Sequence, residues 1–263
     1  MKDKFAGSVS SSNDFVAKWD DRLEEFQDST EVTSNDKYLV NLELDIILEH
    51  IDNDESVFDI GCGNGATIAR LIKMGMRPKK IGGCDLSHKM IGMAKENLAS
   101  EHFMQLDLNN DDYAAIENFK PTTIIHKRVL HNLGGRANQR EHLCRLSEAL
   151  PVGSKILLIS AFVDGLIKLN VLRHVLSLEP ATESKINDYS RLVDVKHALE
   201  MSGMKIVKDV DFSSTYAIGS RVLQPYLYPD VEPYLTHPIN EYFSKLPNIE
   251  GFGLHQFIVA VKE

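Results

Sequence analysis

The chain has 263 residues, of which 43% are hydrophobic, and it carries 29 Lys and Arg against 38 Asp and Glu, for a formal net charge of −9. That length and that apolar content are sufficient for a folded domain and exclude a mainly disordered chain. Because no run of basic residues offsets the acidic balance, we do not expect nucleic acid as a partner.

The longest apolar stretch, 156–163, is far shorter than the roughly 20 residues that span a bilayer, so no membrane segment is expected. The first residues have no apolar region behind their lysines, which gives no indication of secretion. Cys62, Cys84 and Cys144 lack CxxC or metal-ligand spacing and are typical of reduced thiols. We therefore expect a cytoplasmic protein without a metal site.

Amphipathic patterns predict two helices at the start of the chain, over 14–26 and 36–50, which together form an N-terminal helical cap over 14–50. Beyond them, short apolar runs alternate with helical patterns. Strands are predicted over 56–60, 80–84, 102–106, 122–126, 155–162, 205–212 and 256–262, and helices over 66–74, 140–150 and 190–201. A further helix is predicted after Ser87, which can cap it, with Met90, Ala94 and Leu98 on one side. Such alternation is typical of an α/β fold, in which helices cover both faces of a parallel sheet.

Between the last two predicted strands lies an insertion, residues 213–250, that holds five of the eight tyrosines and five of the nine prolines. Proline fixes the path of a loop, and tyrosine offers an apolar face with a polar tip. We expect the insertion to pack as a lid over the crevice at the strand ends, or against a second subunit in a homodimer. As a lid, together with 162–178, it would present Tyr216, Tyr226 or His237 to the substrate.

No repeat or linker divides the sequence, which predicts a single domain over 1–263. Within it, the cofactor-binding core is expected over 51–212, followed by the insertion and by the last strand over 256–262.

The segment 59–66, DIGCGNGA, lies where the first predicted strand ends and a helix begins. Glycines let a ligand approach the backbone closely, and a helix N-terminus offers free N–H groups to a carboxylate or another anion. The segment also satisfies G-x-G-x-x-G/A with Ala66 as its last residue. By itself it therefore does not separate a dinucleotide from another adenosine cofactor.

Three acidic residues stand at the ends of three successive predicted strands: Asp59, Asp85 and Asp107. Asp85 follows Gly65 by 20 residues, where a carboxylate accepts hydrogen bonds from ribose hydroxyls. Because the ends of parallel strands face one crevice, we expect the three carboxylates to border a single cofactor site.

Residues 57–65, VFDIGCGNG, and 83–91, GCDLSHKMI, resemble motif I and the acidic-loop motif of the class I S-adenosylmethionine-dependent methyltransferases. The resemblance covers roughly 36–212 and the last strand. It implies a Rossmann-like sheet of seven mostly parallel strands with an antiparallel last strand, S-adenosylmethionine as cofactor and S-adenosylhomocysteine as product. It also implies that the cofactor-binding residues are Asp59, Gly61, Cys62, Gly63, Asp85, Leu86, Met90, Asp107, Leu108 and His126.

Among these, the resemblance gives Gly61 and Gly63 to the methionine part of the cofactor and Asp85 to the ribose. Leu86 and Met90 flank the adenine, while Asp107 and Leu108 address its edge. Residues 126–133, HKRVLHNL, resemble the family's segment after strand four. The chain departs from the family at Thr122, where an aspartate is common, and at the basic pair 127–128, which leaves the substrate class open.

His131 is the candidate general base, because it follows strand four on the side where the sulfonium is expected and histidine titrates near neutral pH. A packing role within the turn is the alternative for this residue. Arg128 or Lys127 is the candidate partner of a substrate carboxylate, and Arg128 is the one taken as a substrate-binding residue; a solvated basic turn is the alternative.

The function predicted from the sequence is methyl transfer from S-adenosylmethionine to an oxygen, nitrogen, sulfur or carbon nucleophile of a small metabolite. The alternatives are a nicotinamide-dependent oxidoreductase and a methyltransferase-like binding protein without chemistry. Methylation of RNA or protein is disfavoured by the acidic composition.

Overall fold

The computed structural model describes residues 36–183, 187–231 and 234–263. The predicted helix over 14–26 lies outside these ranges. The strands are β1 (Ser56–Ile60), β2 (Lys80–Asp85), β3 (Phe103–Gln105), β4 (Thr123–Lys127), β5 (Lys155–Ala161), β6 (Met204–Val210) and β7 (His255–Lys262). They form one seven-stranded sheet in the order β3-β2-β1-β4-β5-β7-β6.

The first five strands run parallel, whereas β7 is antiparallel to both β5 and β6. The expected sheet of mostly parallel strands with an antiparallel last strand is therefore confirmed. Because β1 to β4 are parallel, their carboxyl ends meet at one edge, and that edge carries the glycine turn and the acidic residues.

Helices flank the sheet and agree with the strand-and-helix alternation of the sequence. They are α1 (Lys37–Leu48), α2 (Ala66–Met74), α3 (His88–Leu98), α4 (Ala114–Phe119), α5 (Arg136–Glu148), α6 (Val163–Val175), α7 (Leu192–Met201), α8 (Ser214–Ile218), α9 (Gln224–Leu227) and α10 (Ile239–Lys245). A π-helical turn over Gly219–Leu223 joins α8 to α9, and single 3-10 turns occupy Leu130–Asn132 and Tyr234–Thr236. Sequence reasoning did not predict α4, α6 or the helices of the insertion.

Two apolar clusters cover the two faces of the sheet. One packs Phe58, Ile124 and Leu158 against α5 and α7, and the other packs Val57, Ile125 and Leu157 against α1, α2 and α3. Alternate residues of each strand supply the two faces, as the period of a β-strand requires. In the described ranges no helix is long and apolar enough to span a membrane.

The insertion packs as helices, which agrees with the expectation that it is not a solvated loop. Tyr216 and Phe243 of the insertion form a cluster with Tyr38 and Leu39 at the start of α1. This contact brings the insertion to the same edge of the sheet as α1.

Candidate functional site

The turn after β1 has a backbone that only glycine adopts easily. Gly61, Gly63 and Gly65 have φ angles of 66°, 53° and 80°, in the left-handed region. A Cβ atom on Gly61 would collide with the side chain of Val129, so another residue there would displace the segment after β4. The turn thus brings backbone N–H groups to the sheet edge and leads into α2.

Asp85, at the end of β2, is fixed beside this turn. Its Oδ2 atom accepts a hydrogen bond from the Gly63 N–H, and its Oδ1 atom accepts one from the Ser87 N–H, each at 2.9 Å. The Ser87 hydroxyl caps α3 by accepting from the Met90 N–H at 3.2 Å, as the sequence predicted. The carboxylate is therefore pre-oriented at the sheet edge beside the glycine turn.

Asp107 lies in the loop after β3 and mainly organises that loop. Its Oδ1 atom accepts from the Asn109 N–H at 3.0 Å, and its Oδ2 atom accepts from the Asn110 side chain at 2.8 Å. The neighbouring Leu108 is buried, and its carbonyl accepts hydrogen bonds from Tyr113 and Arg145. The predicted adenine-edge residues thus stand on a loop with a defined conformation.

Asp59 is buried within β1, and among the described residues its Oδ2 atom has no hydrogen-bond partner. Burial raises the pKa of this carboxyl group to about 7, and the nearby positive charge of Lys127 partly opposes that rise. An unpartnered carboxylate oxygen next to the glycine turn fits a ligand that brings a cationic or N–H donor group. Cys62, within the turn, is buried, and its Cβ atom lies close to Gly83 of β2, so the side chain packs between the turn and that strand.

His126 was expected to contact the cofactor, but its ring lies in the core below the strand end. The side chain is fully buried, and its Nε2 atom is 2.8 Å from Nε2 of His142, whose Nδ1 atom bonds the Tyr113 hydroxyl. Burial lowers the pKa of His126 to about 4, which keeps the ring neutral. Alternate residues of β4 point to opposite faces of the sheet, and His126 points to the face that α5 covers.

His131, the candidate base, lies in the 3-10 turn after β4 and is buried. Its Nδ1 atom is 3.0 Å from the Ser160 hydroxyl, and its ring meets the edge of Tyr189 at 5.6 Å between centroids. Within the described ranges Nε2 has no hydrogen-bond partner. Burial lowers the pKa of His131 to about 3, and the charge of Arg128 contributes to the same shift.

A group of buried charges joins the segment after β4 to α1. Arg128 donates from Nε to Glu43 Oε1 at 2.7 Å, and the Lys127 ammonium lies 3.9 Å from Glu43 Oε2. Glu43 is fully buried on α1. Arg128 also has a φ angle of 61°, an uncommon conformation for a residue with a side chain, which marks the turn as constrained by its surroundings.

The insertion is tied to the same region through Asp36, the N-cap residue of α1. Tyr216 donates its hydroxyl hydrogen to Asp36 Oδ1, and Arg221 pairs with Asp36 Oδ2 at 2.9 Å. Gln224, one helical turn further, is fully buried, and in the part of the chain that the structure describes neither its Nε2 nor its Oε1 atom has a hydrogen-bond partner. Tyr216 was expected to face the substrate. In the structure its hydroxyl group is hydrogen-bonded to Asp36 at the start of α1.

The other two predicted residues of the insertion do not line the buried crevice. Tyr226 is 51% exposed, because Gln224 takes the inward position of α9 and a residue two places further points away from it. His237 is half-buried, accepts the Ile239 N–H on Nδ1 at 3.2 Å, and packs on Tyr228. The Nδ1 atom of His237 is therefore used by a backbone N–H group at the start of α10.

Six residues of α1, β5, the insertion and the segments beside them were not predicted as site residues. Glu43, Ser160, Gln224 and His255 are buried, and Tyr189 and Arg221 are half-buried. His255 begins β7, and burial together with the charges of Arg128 and Arg221 lowers the pKa of its imidazole well below the usual value. The position of His255 at the edge of the insertion was the one sequence signal for this group. Across the described ranges, no three His, Cys, Asp or Glu residues are placed to hold a metal ion.

Residues 57–147 match the family model described as a methyltransferase domain. No curated protein matches the chain. Among solved structures, the magnesium protoporphyrin IX methyltransferase (ChlM) of Synechocystis PCC 6803 with bound SAH is 19% identical, with a TM-score of 0.57 over 96% of this chain and 98% of that chain. The putative methyltransferase in complex with the Trm112 methyltransferase activator of Haloferax volcanii is 12% identical, with a TM-score of 0.63 over 93% of this chain and 97% of that chain.

A TehB-like SAM-dependent methyltransferase from Corynebacterium glutamicum is also similar, at 14% identity and a TM-score of 0.53 over 96% of this chain and 98% of that chain. At these identities the likeness establishes the fold. The family model matches the segment that contains the glycine turn, Asp85, Asp107 and the strand leading to His131.

Proposed function

Because the chain carries a class I S-adenosylmethionine-dependent methyltransferase domain, we propose that it transfers the methyl group of this cofactor to a nucleophile of a small metabolite. The observation that carries the proposal is the position of His131. It is buried at the edge of the sheet that holds the glycine turn, and its Nε2 atom has no partner in the described part of the chain.

The residues of the glycine turn and the strand ends fit the cofactor. Gly61, Gly63 and the unpartnered Oδ2 atom of Asp59 would hold its methionine end, and the fixed carboxylate of Asp85 would accept the ribose hydroxyls. The adenine would lie against Leu86, Met90, Asp107 and Leu108. When bound, the cofactor supplies a methyl group on a sulfonium, which leaves as a neutral thioether when the nucleophile bonds to the methyl carbon.

The protein's contribution to the chemistry lies in its own residues around His131. If the Ser160 hydroxyl accepts the Nδ1–H of the ring, the lone pair of Nε2 is left to take the proton of the nucleophile. A pKa of about 3 means that the unprotonated ring is the form present at neutral pH. Burial keeps water away, so that orientation of the acceptor can supply much of the rate.

A small acceptor is favoured over a macromolecule by the enclosure of this region. Side chains from α1, the turn after β4 and the insertion meet here and are buried. The net charge of −9 also opposes the approach of a nucleic acid. We infer a cytoplasmic location from the three free cysteines, and the homodimer remains a prediction.

The proposal is tested first by calorimetry with S-adenosylmethionine and S-adenosylhomocysteine, for which we expect dissociation constants in the micromolar range. A panel of small metabolites is then screened for formation of S-adenosylhomocysteine. Binding of neither cofactor form would refute the assignment, and binding of NADH instead would favour the oxidoreductase. Cofactor binding without any methylated product would favour a binding protein. The antiparallel β7 between β5 and β6 already argues against the nicotinamide alternative.

A further inference from the structure

We propose that the acceptor carries a carboxylate group and that Arg128 binds it, a step that rests on the proposed function and adds the class of substrate. The guanidinium is planar and offers donors along two edges, so it can hold one carboxylate on each edge. Nε donates from one edge to Glu43 Oε1 at 2.7 Å. Nη2 belongs to that edge and, together with Nη1, to the second edge as well. It is buried, and among the described residues it has no hydrogen-bond partner.

The backbone holds this unpartnered group in place. The Arg128 N–H donates to the carbonyl of Ile159 on β5 at 2.8 Å, and the Arg128 carbonyl accepts from the side chain of Asn132 at 2.9 Å. The residue also keeps a φ angle of 61°. Strained backbone of this kind persists where neighbouring structure fixes it, and it is common in ligand-binding turns.

The charges around Arg128 do not balance. Arg128 and Lys127 are both paired with Glu43, and Lys127 also acts on Asp59, whose pKa of about 7 leaves it only partly ionised. Arg221, in contrast, has Asp36 as a partner. An uncompensated buried charge is costly, and a bound monoanion would remove that cost. At most one positive charge is left over, which matches a carboxylate better than a phosphate dianion.

Arg128 and Lys127 act most strongly on different parts of the crevice, although both lower the pKa of His255. Lys127 is the main charge that acts on Asp59 beside the glycine turn, which places it on the cofactor side. Arg128 instead contributes to the lowered pKa values of His131 and His255 and acts on the Tyr189 hydroxyl. Because these groups surround the candidate base, the unused edge of Arg128 belongs to the acceptor side.

The experiment measures ligand binding to protein saturated with S-adenosylhomocysteine, using saturation-transfer NMR. The probes are benzoate, phenylacetate and hexanoate, their primary amides, and phenyl phosphate. We expect at least one carboxylate to bind at least tenfold more tightly than its amide and more tightly than phenyl phosphate. Arg128→Gln should remove that preference and leave the affinity for S-adenosylhomocysteine within about twofold.

Arg140→Gln, at an exposed site on α5, is the matched control and should change neither affinity. Arg128→Lys keeps the charge beside Glu43 but loses the second edge of donors, so it should weaken the carboxylate severalfold and still fold. The inference is overturned if no carboxylate binds, if the amide or the phosphate binds equally well, or if either Arg128 variant weakens S-adenosylhomocysteine tenfold. The last result would assign Arg128 to the cofactor. Failure of the wild type to bind S-adenosylhomocysteine would instead refute the proposed function.

Discussion

The cofactor side and the acceptor side of the crevice hold their polar residues in different ways. On the cofactor side, the carboxylates of Asp85 and Asp107 bond to backbone N–H groups within 22 residues of their own position. On the acceptor side, polar side chains bond to one another across long stretches of sequence. Arg128 and Glu43 are 85 residues apart, and Tyr216 and Asp36 are 180 residues apart.

The comparison shows that the two sides are built for different demands. A carboxylate held by backbone groups keeps its position whatever the neighbouring side chains are, which suits a cofactor of fixed shape. Side chains contributed by α1, the turn after β4 and the insertion can change independently of the strands. The unpartnered atoms of Arg128 and Gln224 lie in this second group.

The largest expected effect comes from breaking the cofactor side at Asp85. Asp85→Ala removes the acceptor of two ribose hydroxyls and also releases the Gly63 and Ser87 N–H groups. Hydrogen bonds to a charged group contribute about 1.5–3 kcal/mol each, so S-adenosylhomocysteine should bind about 10³-fold more weakly or worse. Calorimetry measures the change, and Asp194→Ala on the exposed part of α7 is the control. A loss smaller than threefold would contradict the role of Asp85.

The next effect is on the stability of the cofactor-free protein and concerns Asp59. Its folded pKa of about 7 lies above the usual 3.8, so the protonated form stabilises the fold. That contribution is complete below about pH 4 and is lost as the pH rises towards 7. Asp59→Asn stays neutral, and its stability relative to the wild type should rise by up to about 4 kcal/mol over this range.

Urea unfolding at several pH values measures this difference for Asp59→Asn. Lys127 and Asp85 are the charged groups that act on the carboxyl, and they oppose each other. Taking the difference between variant and wild type cancels the titration of the buried histidines. A stability difference that stays constant from pH 4 to pH 8 would show that Asp59 is ionised in the fold.

Much of the cofactor side could be predicted from the sequence because its signals are local. The strand Ser56–Ile60 and the helix Ala66–Met74 match the predicted bounds at both ends, and the methyltransferase-domain model matches residues 57–147, as the sequence predicted. The glycines directly follow one apolar run, and the capping Ser87 directly follows the next. Each of them restricts the backbone directly.

The acceptor side could not be predicted in the same way. Helix α6 has apolar residues on its exposed side as well as its buried side, including Ile167, Val171 and Val175, so its sequence shows no clear apolar stripe. Glu43 is buried where it pairs with Arg128, and no spacing in the sequence reveals a contact 85 residues away. The sequence does not show which face of the sheet a strand residue takes, so it did not reveal that the His126 ring packs against His142.

On the acceptor side, His131→Gln should lower turnover by about 10²-fold. General-base catalysis contributes roughly 10²–10⁴, and the low pKa of this ring places it at the lower end of that range. The affinity for S-adenosylhomocysteine should be unchanged. Ser160→Ala should have a smaller effect, since it removes the group that orients the ring. Steady-state rates with an acceptor from the metabolite screen measure both, and a full rate in His131→Gln would leave the ring with a packing role.

The smallest effect is expected at Tyr226, where sequence and structure disagree. Its side chain is 51% exposed, whereas Tyr216 is buried and bonds Asp36. Tyr226→Ala should therefore change neither the melting temperature nor kcat/KM beyond about twofold, because exposed substitutions usually alter stability by less than about 0.5 kcal/mol. Tyr216→Phe is the matched comparison and should lose about 1–2 kcal/mol of stability, since its hydroxyl donates to a buried carboxylate. A tenfold rise in KM for Tyr226→Ala would show that α9 turns this face towards the substrate during the reaction.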